Sequence, residues 1–186
     1  MFMSRSKKGF TLAEVLITLL IIGVVASLVI PALIGDTQQA ELKVALKKAV
    51  ASANQALAMS IAQDQTDASG TVDDSNSNLM NLFAAKLNVI QSDTSTATLT
   101  TADGMIFTFF TKGACSASTD PNASQDITTS NANCYALVDV NGAKRPNTLS
   151  SNGSYKDQYY LVIRSKTVVP GKSASDDEIA LQAMYQ

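Results

Sequence analysis

The first group in this sequence able to do chemistry is a lone carboxylate in an apolar run. Glu14 is the one charged side chain between Phe10 and Ile34. A carboxylate inside an apolar helix costs at least ~2.5 kcal/mol on insertion scales, so it usually has a task or a partner. The nearby cations, Arg5, Lys7 and Lys8, all lie upstream and are followed by Gly9. A cut after Gly9 would leave Phe10 with a free α-amino group four residues before Glu14. That spacing puts amine and carboxylate on one helix face, separated by a rise of about 6 Å. An amine of the same chain or of a neighbouring copy could then neutralise the acid in lipid.

Other chemistry is largely excluded by composition. The 186 residues contain no histidine, which removes Ser-His-Asp and Cys-His nucleophile systems and any histidine-ligated metal. In the head the serines have no Ser-x-x-Lys arrangement, no nucleophile–base pair stands out, and the expectation is that the chain is not an enzyme. The net charge is −2, and from Thr66 onward 12 acidic side chains face 8 basic ones, so no nucleic-acid footprint is evident. Asp139-Val140-Asn141-Gly142, with Pro146-Asn147 and the more distant Asp157, offers oxygen ligands after a strand. Two readings of Asp139 and Asn141 stand: part of a calcium site, which wants six to eight oxygens, or an Asn-Gly turn joining strands. The expectation is no cofactor, with calcium as the alternative.

These groups must be positioned by a few elements. Residues 10–34 as a helix would reach about 37 Å, enough to cross a ~30 Å hydrocarbon core. Gly23 and Pro31 are helix-breaking residues within it, the proline crowding the carbonyl of Ser27 and predicting a kink there. Past Gly35 the pattern becomes one-sided: Leu42, Leu46, Val50, Ala53, Leu57 and Ile61 form a single stripe, with Lys43, Lys47 and Lys48 off it. The helix is expected to continue to about Gln63. A polar loop follows over residues 66–78, then a short helix capped by Ser77 or Asn78 and running to Leu87. Strands are expected at residues 97–101, 105–111, 134–140 and 158–164, with a fifth at 167–169 ending at Pro170. Residues 115–134 read as a surface loop, and Ser175 with Asp176, Asp177 and Glu178 as the start of a short helix. The predicted fold is α+β, an antiparallel sheet with one face covered by the amphipathic half of the long helix.

Gly9-Phe10-Thr11-Leu12-Ala13-Glu14, behind a basic leader and ahead of an apolar helix, resembles the processing signal of type IV pilins and pseudopilins. A secretory signal peptide would have a shorter apolar core and its small cleavage residue on the far side. The resemblance covers residues 1 to about 60. It implies cleavage by a prepilin peptidase between Gly9 and Phe10, N-methylation of Phe10, and a role for Glu14 in docking and filament assembly. It implies that the stretch between Gly23 and Pro31 unwinds in a packed filament, the alternative being a merely curved helix. It divides the chain into a leader (1–9), a transmembrane and filament-core helix (10–35), its amphipathic continuation (36–65) and a globular head (66–186). Some major pseudopilins carry calcium in a loop of the head.

In an exported domain Cys115 and Cys134 read as one disulfide, worth ~3 kcal/mol in the chain-entropy model; two unpaired buried thiols are the alternative. The position departs from many pilins, because about fifty residues follow Cys134. The expected function is a structural subunit of a type IV pilus-like filament. It would start as a single-pass precursor in the inner membrane and end in a surface or periplasmic filament. Expected partners are other copies of itself, the prepilin peptidase, the assembly machinery and the membrane. The alternatives are a type II secretion pseudopilin, which residues 26–41 also resemble, and a solitary membrane-anchored binding protein.

Overall fold

The computed structural model describes residues 9–71, 76–112, 115, 134–144 and 157–171. Among them are a long helix α1 (Leu12–Asp64), a second helix α2 (Asn76–Ala84), a 3-10 turn (Ala68–Thr71) and six strands. The strands are β1 (Val89–Asp93), β2 (Thr98–Thr101), β3 (Ile106–Thr111), β4 (Cys134–Asp139), β5 (Gln158–Ile163) and β6 (Val168–Pro170). They form one antiparallel sheet in the order β1-β2-β3-β4-β5-β6, so the fold is α+β. The chain divides into two compact units, Met1–Gln38 and Gln39–Gln186.

In the first unit, Leu12–Pro31 has a mean hydropathy of 2.7 and none of it is buried. It is long and apolar enough to cross a membrane. Its hydroxyls are satisfied within the helix: Thr18 Oγ1 donates to the Val15 carbonyl at 2.9 Å and Ser27 Oγ to Val24 at 2.8 Å. Such internal pairing is what a lipid solvent demands of polar groups. The backbone stays helical through Gly23 and Pro31, so the two helix-breaking residues do not interrupt α1 in the single chain. A proline deletes one hydrogen bond of the ladder, and the bonds on either side hold the turn.

In the second unit, the stripe read from spacing faces the sheet. Leu46, Val50, Ala53 and Leu57 are buried, with Leu42 and Ile61 packed partly buried against the same cluster. Ala49 and Ala56 are also buried, and their small side chains let the helix approach closely. The inner face of the sheet answers with Leu99, Phe107, Phe109, Val138, Leu161 and Ile163. α2 closes one end through Leu79, Met80 and Phe83, the Phe83 ring stacking 5.1 Å from Phe109. Residues of this size each contribute roughly 1.5–3 kcal/mol on burial.

Several boundaries differ from the sequence expectation. α2 begins at Asn76 rather than after Ser77 or Asn78. Asn76 Oδ1 accepts from Thr111 N at 2.7 Å and from Thr111 Oγ1 at 3.1 Å, tying the helix start to the end of β3. Strand β1 was not anticipated; four of its five residues are exposed, which leaves no alternation to read. The hairpin between β2 and β3 turns at Gly104 with φ +87°, as its Ala-Asp-Gly loop predicts. Gly142, with φ +67°, packs so closely on that turn that a Cβ would lie 2.2 Å from the Gly104 carbonyl oxygen. The expected loop between the cysteines and the helix after Ser175 lie outside the described residues.

The free margin of β6 is closed from the helix side. Asn54 Nδ2 donates to the Val168 carbonyl at 2.7 Å, and Val168 N donates back to Asn54 Oδ1 at 2.8 Å. One carboxamide therefore behaves as a single residue of a neighbouring strand. Asn54→Leu leaves both Val168 groups without this partner and is expected to cost about 1–3 kcal/mol. Thermal or urea denaturation of the detergent-solubilised chain checks this, with Gln55→Leu on the exposed face as the neutral control.

Candidate functional site

The start of α1 is built by its own first turn. Gly9 and Phe10 precede the helix, Thr11 is its N-cap, and Glu14 occupies the third helical position. Thr11 N and Thr11 Oγ1 both donate to Glu14 Oε2 at 2.9 Å, and Glu14 N donates to Thr11 Oγ1 at 3.2 Å. This reciprocal pattern is a capping box, in which two otherwise orphaned backbone donors satisfy each other's side chains. Phe10 is 89% exposed and lines a shallow depression with Glu14, Val15 and Thr18. Phe10 and Val15 sit where the two apolar residues of a hydrophobic staple would sit.

The expected amine–carboxylate pair does not form in the uncut chain, because the Phe10 nitrogen is there a peptide nitrogen. Glu14 is held by Thr11 instead, and only Oε2 is used; no bond to Oε1 is made among the described residues. Thr11 is the functional residue that the sequence reasoning passed over. The signal for it was Thr-x-x-Glu immediately before an apolar run.

The two cysteines lie in the second unit. Cys115 and Cys134 are bonded, with Cα atoms 5.1 Å apart and both residues buried. Cys134 pairs with Thr111 across β3 and β4, so the bridge closes the ladder at that end of the sheet. Asp139 and Asn141 meet Asp157 at the opposite end of β4. Asn141 N donates to Asp139 Oδ1 at 3.3 Å, Asn141 Nδ2 to Asp157 Oδ2 at 3.2 Å, and Gln158 Nε2 to Asp139 Oδ2 at 3.2 Å. Burial pushes the Asp139 carboxyl above the usual carboxylate range. The Gln158 amide opposes that rise, and the charge of Asp157 adds to it. Asn141 Oδ1 is buried without a hydrogen-bond partner. Asp139, Asn141 and Asp157 offer two carboxylates and one amide oxygen of the six to eight oxygens a calcium ion takes, and Pro146-Asn147 of the expected set lie outside the described residues. No cluster of three or more acidic, cysteine or histidine side chains occurs among the described residues.

With this geometry in view, comparison with known proteins is informative for the N-terminal segment. Residues 4–30 match the family described as the prokaryotic N-terminal methylation motif. In this segment the chain carries that motif, and the motif and apolar span suit a membrane-anchored precursor. It is similar to the type II secretion system core protein G of Dickeya chrysanthemi, with 43% identity over 49 residues. That stretch is 26% of this chain, and the chain spans about a third (32%) of the length of this relative. No solved structure matches.

Two outcomes follow. Thr11→Val removes the hydroxyl and is expected to quicken amide exchange over the first turn of α1 about fivefold, the equivalent of a ~1 kcal/mol cap, while Thr11→Ser restores protection. Hydrogen exchange in micelles reads this directly. Asp139 has a raised carboxyl in the folded chain, so its ionisation weighs against folding at neutral pH. That penalty fades as pH falls through the folded value towards the unfolded one, near 3.9. Asp139→Asn should therefore raise the melting temperature at pH 7.5, and the gain should shrink towards pH 4.

Proposed function

We propose that this chain is the structural subunit of a type IV pilus-like filament. In this reading it begins as a single-pass inner-membrane precursor with a leader over residues 1–9. A prepilin peptidase cuts between Gly9 and Phe10, the new Phe10 nitrogen is methylated, and assembly machinery in the membrane draws the subunit into a filament. Residues 10–35 then bury one another in the filament core, residues 36–65 continue the helix, and residues 66–186 form the outer head. The observation that carries the reading is Glu14, capped through one oxygen at the head of an apolar helix that the described residues leave unburied.

Cleavage turns the Phe10 peptide nitrogen into an amine one residue before the Thr11–Glu14 box. Thr11 keeps the carboxylate fixed through Oε2, and Oε1 stays open to the amine of a neighbouring copy. An unpaired charge in a low-dielectric core is strongly unfavourable, so this pairing sets the axial register between copies. Gly23 and Pro31 bracket the part of α1 with the weakest helical preference, and in the packed filament that part is where the helix unwinds under axial load.

A second reading, a pseudopilin of a type II secretion system, is favoured by the similarity to core protein G. Both readings share cleavage, methylation and assembly through α1, and differ in the length and location of the filament. Mass spectrometry of material sheared from intact cells tests them together. A methylated N-terminal peptide beginning at Phe10 and abundant in the sheared fraction supports a pilus. The same peptide confined to the membrane fraction supports the secretion reading, and an intact leader in assembling cells overturns both. Glu14→Ala is expected to reduce filament material at least about tenfold while leaving the membrane pool intact, since an unpaired amine is then buried; immunoblots of the two fractions check this. A solitary anchor would be indifferent to the change.

A further inference from the structure

We infer that the second unit carries two complementary surfaces that bind one another between copies: the Lys43–Val44–Lys47 face of α1, and the open margin of β1 at Ile90 and Asp93. The inference rests on the filament reading and names the contact between neighbouring heads.

Val44 and Ile90 stand out in this unit. Val44 is 66% exposed and Ile90 68%, whereas the remaining large apolar side chains described there are buried, half-buried or, for Met59, at the edge of exposure. Each has charge of one sign beside it. Lys43 and Lys47 lie four residues apart on one side of α1, a like-charge spacing that is unfavourable in an isolated helix. Neither is in an ion pair among the described residues, in contrast to Lys48 with Asp103 at 2.8 Å and Lys86 with Asp64 at 2.7 Å. Glu41 points to the other side of the helix, well over 100° round from both lysines at about 100° per residue.

The β1 surface is the counterpart. Among the described residues its backbone pairs with β2 on one side only, and Ile90 is the extra residue of a bulge between Val89 and Gln91. A bulge turns an exposed side chain outward and blocks simple strand addition. Asp93 is fixed at the strand end by its own turn, its Oδ1 accepting from Ser95 N at 2.9 Å and Ser95 Oγ at 2.6 Å. Those bonds, with further hydrogen bonding from Thr96, hold the carboxyl below its usual range. About 10 Å separates Ile90 from Asp93 along an extended strand, a span that Val44 and the long side chain of Lys47 together match. An apolar pair flanked by opposite charges from two different elements makes a heterologous contact, and such contacts build open helical assemblies instead of closed dimers.

Two experiments on the full chain in assembling cells test this. Lys47→Glu or Asp93→Lys alone is expected to lower filament yield about tenfold, and the two together in one chain to restore it to within about twofold. Chains with Val44→Cys, co-expressed with chains with Ile90→Cys, should yield a disulfide-linked dimer in the filament fraction that neither variant forms alone. Normal filaments from the single charge variants, without the mixed dimer, overturn the contact and leave the filament reading standing. A dimer from Val44→Cys chains alone also overturns it, in favour of a symmetric contact. If the unmodified chain keeps its leader and enters no filament, the filament reading falls and the contact with it.

Discussion

A charge that cannot be left alone in an apolar medium governs the first third of this protein. Glu14 has no cation within the apolar span it heads, and hydrocarbon offers it no solvent. The first turn answers with the cheapest available partner, the N-cap it already needs. The same two hydrogen bonds that begin α1 thus hold the carboxylate in place and leave half of it unengaged. Helix initiation and the placing of the charge become one piece of geometry.

The head obeys a different constraint. Its sheet is a simple meander whose inner face must be covered by something flat and close. The second half of α1 does so because Ala49, Ala53 and Ala56 keep its backbone near the strands while Leu46 and Leu57 are buried in the same core as the phenylalanines. The disulfide and the Asp139 corner then secure opposite ends of β4. One end is held by a covalent bond, and the other by amides spread over two carboxylates.

Much of this was legible in the order of residues, for reasons that differ by element. The α1 stripe announces itself through spacing, and β3, β4 and β5 through dense β-branched and aromatic side chains. β1 does not, because Val89–Asp93 is exposed and becomes a strand only by pairing with β2. Thr11 was readable as a cap but was overshadowed by the louder Glu14. Asn54 was not readable at all. It is a polar residue on the half-buried flank of a helix, and the strand it binds lies 114 residues away. Local pattern reports what a residue does for its own element and is silent about distant partners.

The Asn54 bracket also counts. A sheet with an open margin has no intrinsic strand number, since each new strand presents the next one with the same invitation. By using one side chain of the helix on the outward N–H and carbonyl of Val168, the protein closes that margin after the six described strands. A seventh strand, from this chain or another, would first have to expel a carboxamide anchored to α1. Growth by sheet extension is closed on that side, so any contact between copies there has to be made through helix and side-chain surfaces. Copies joined that way can slide and tilt against one another without breaking a single backbone ladder.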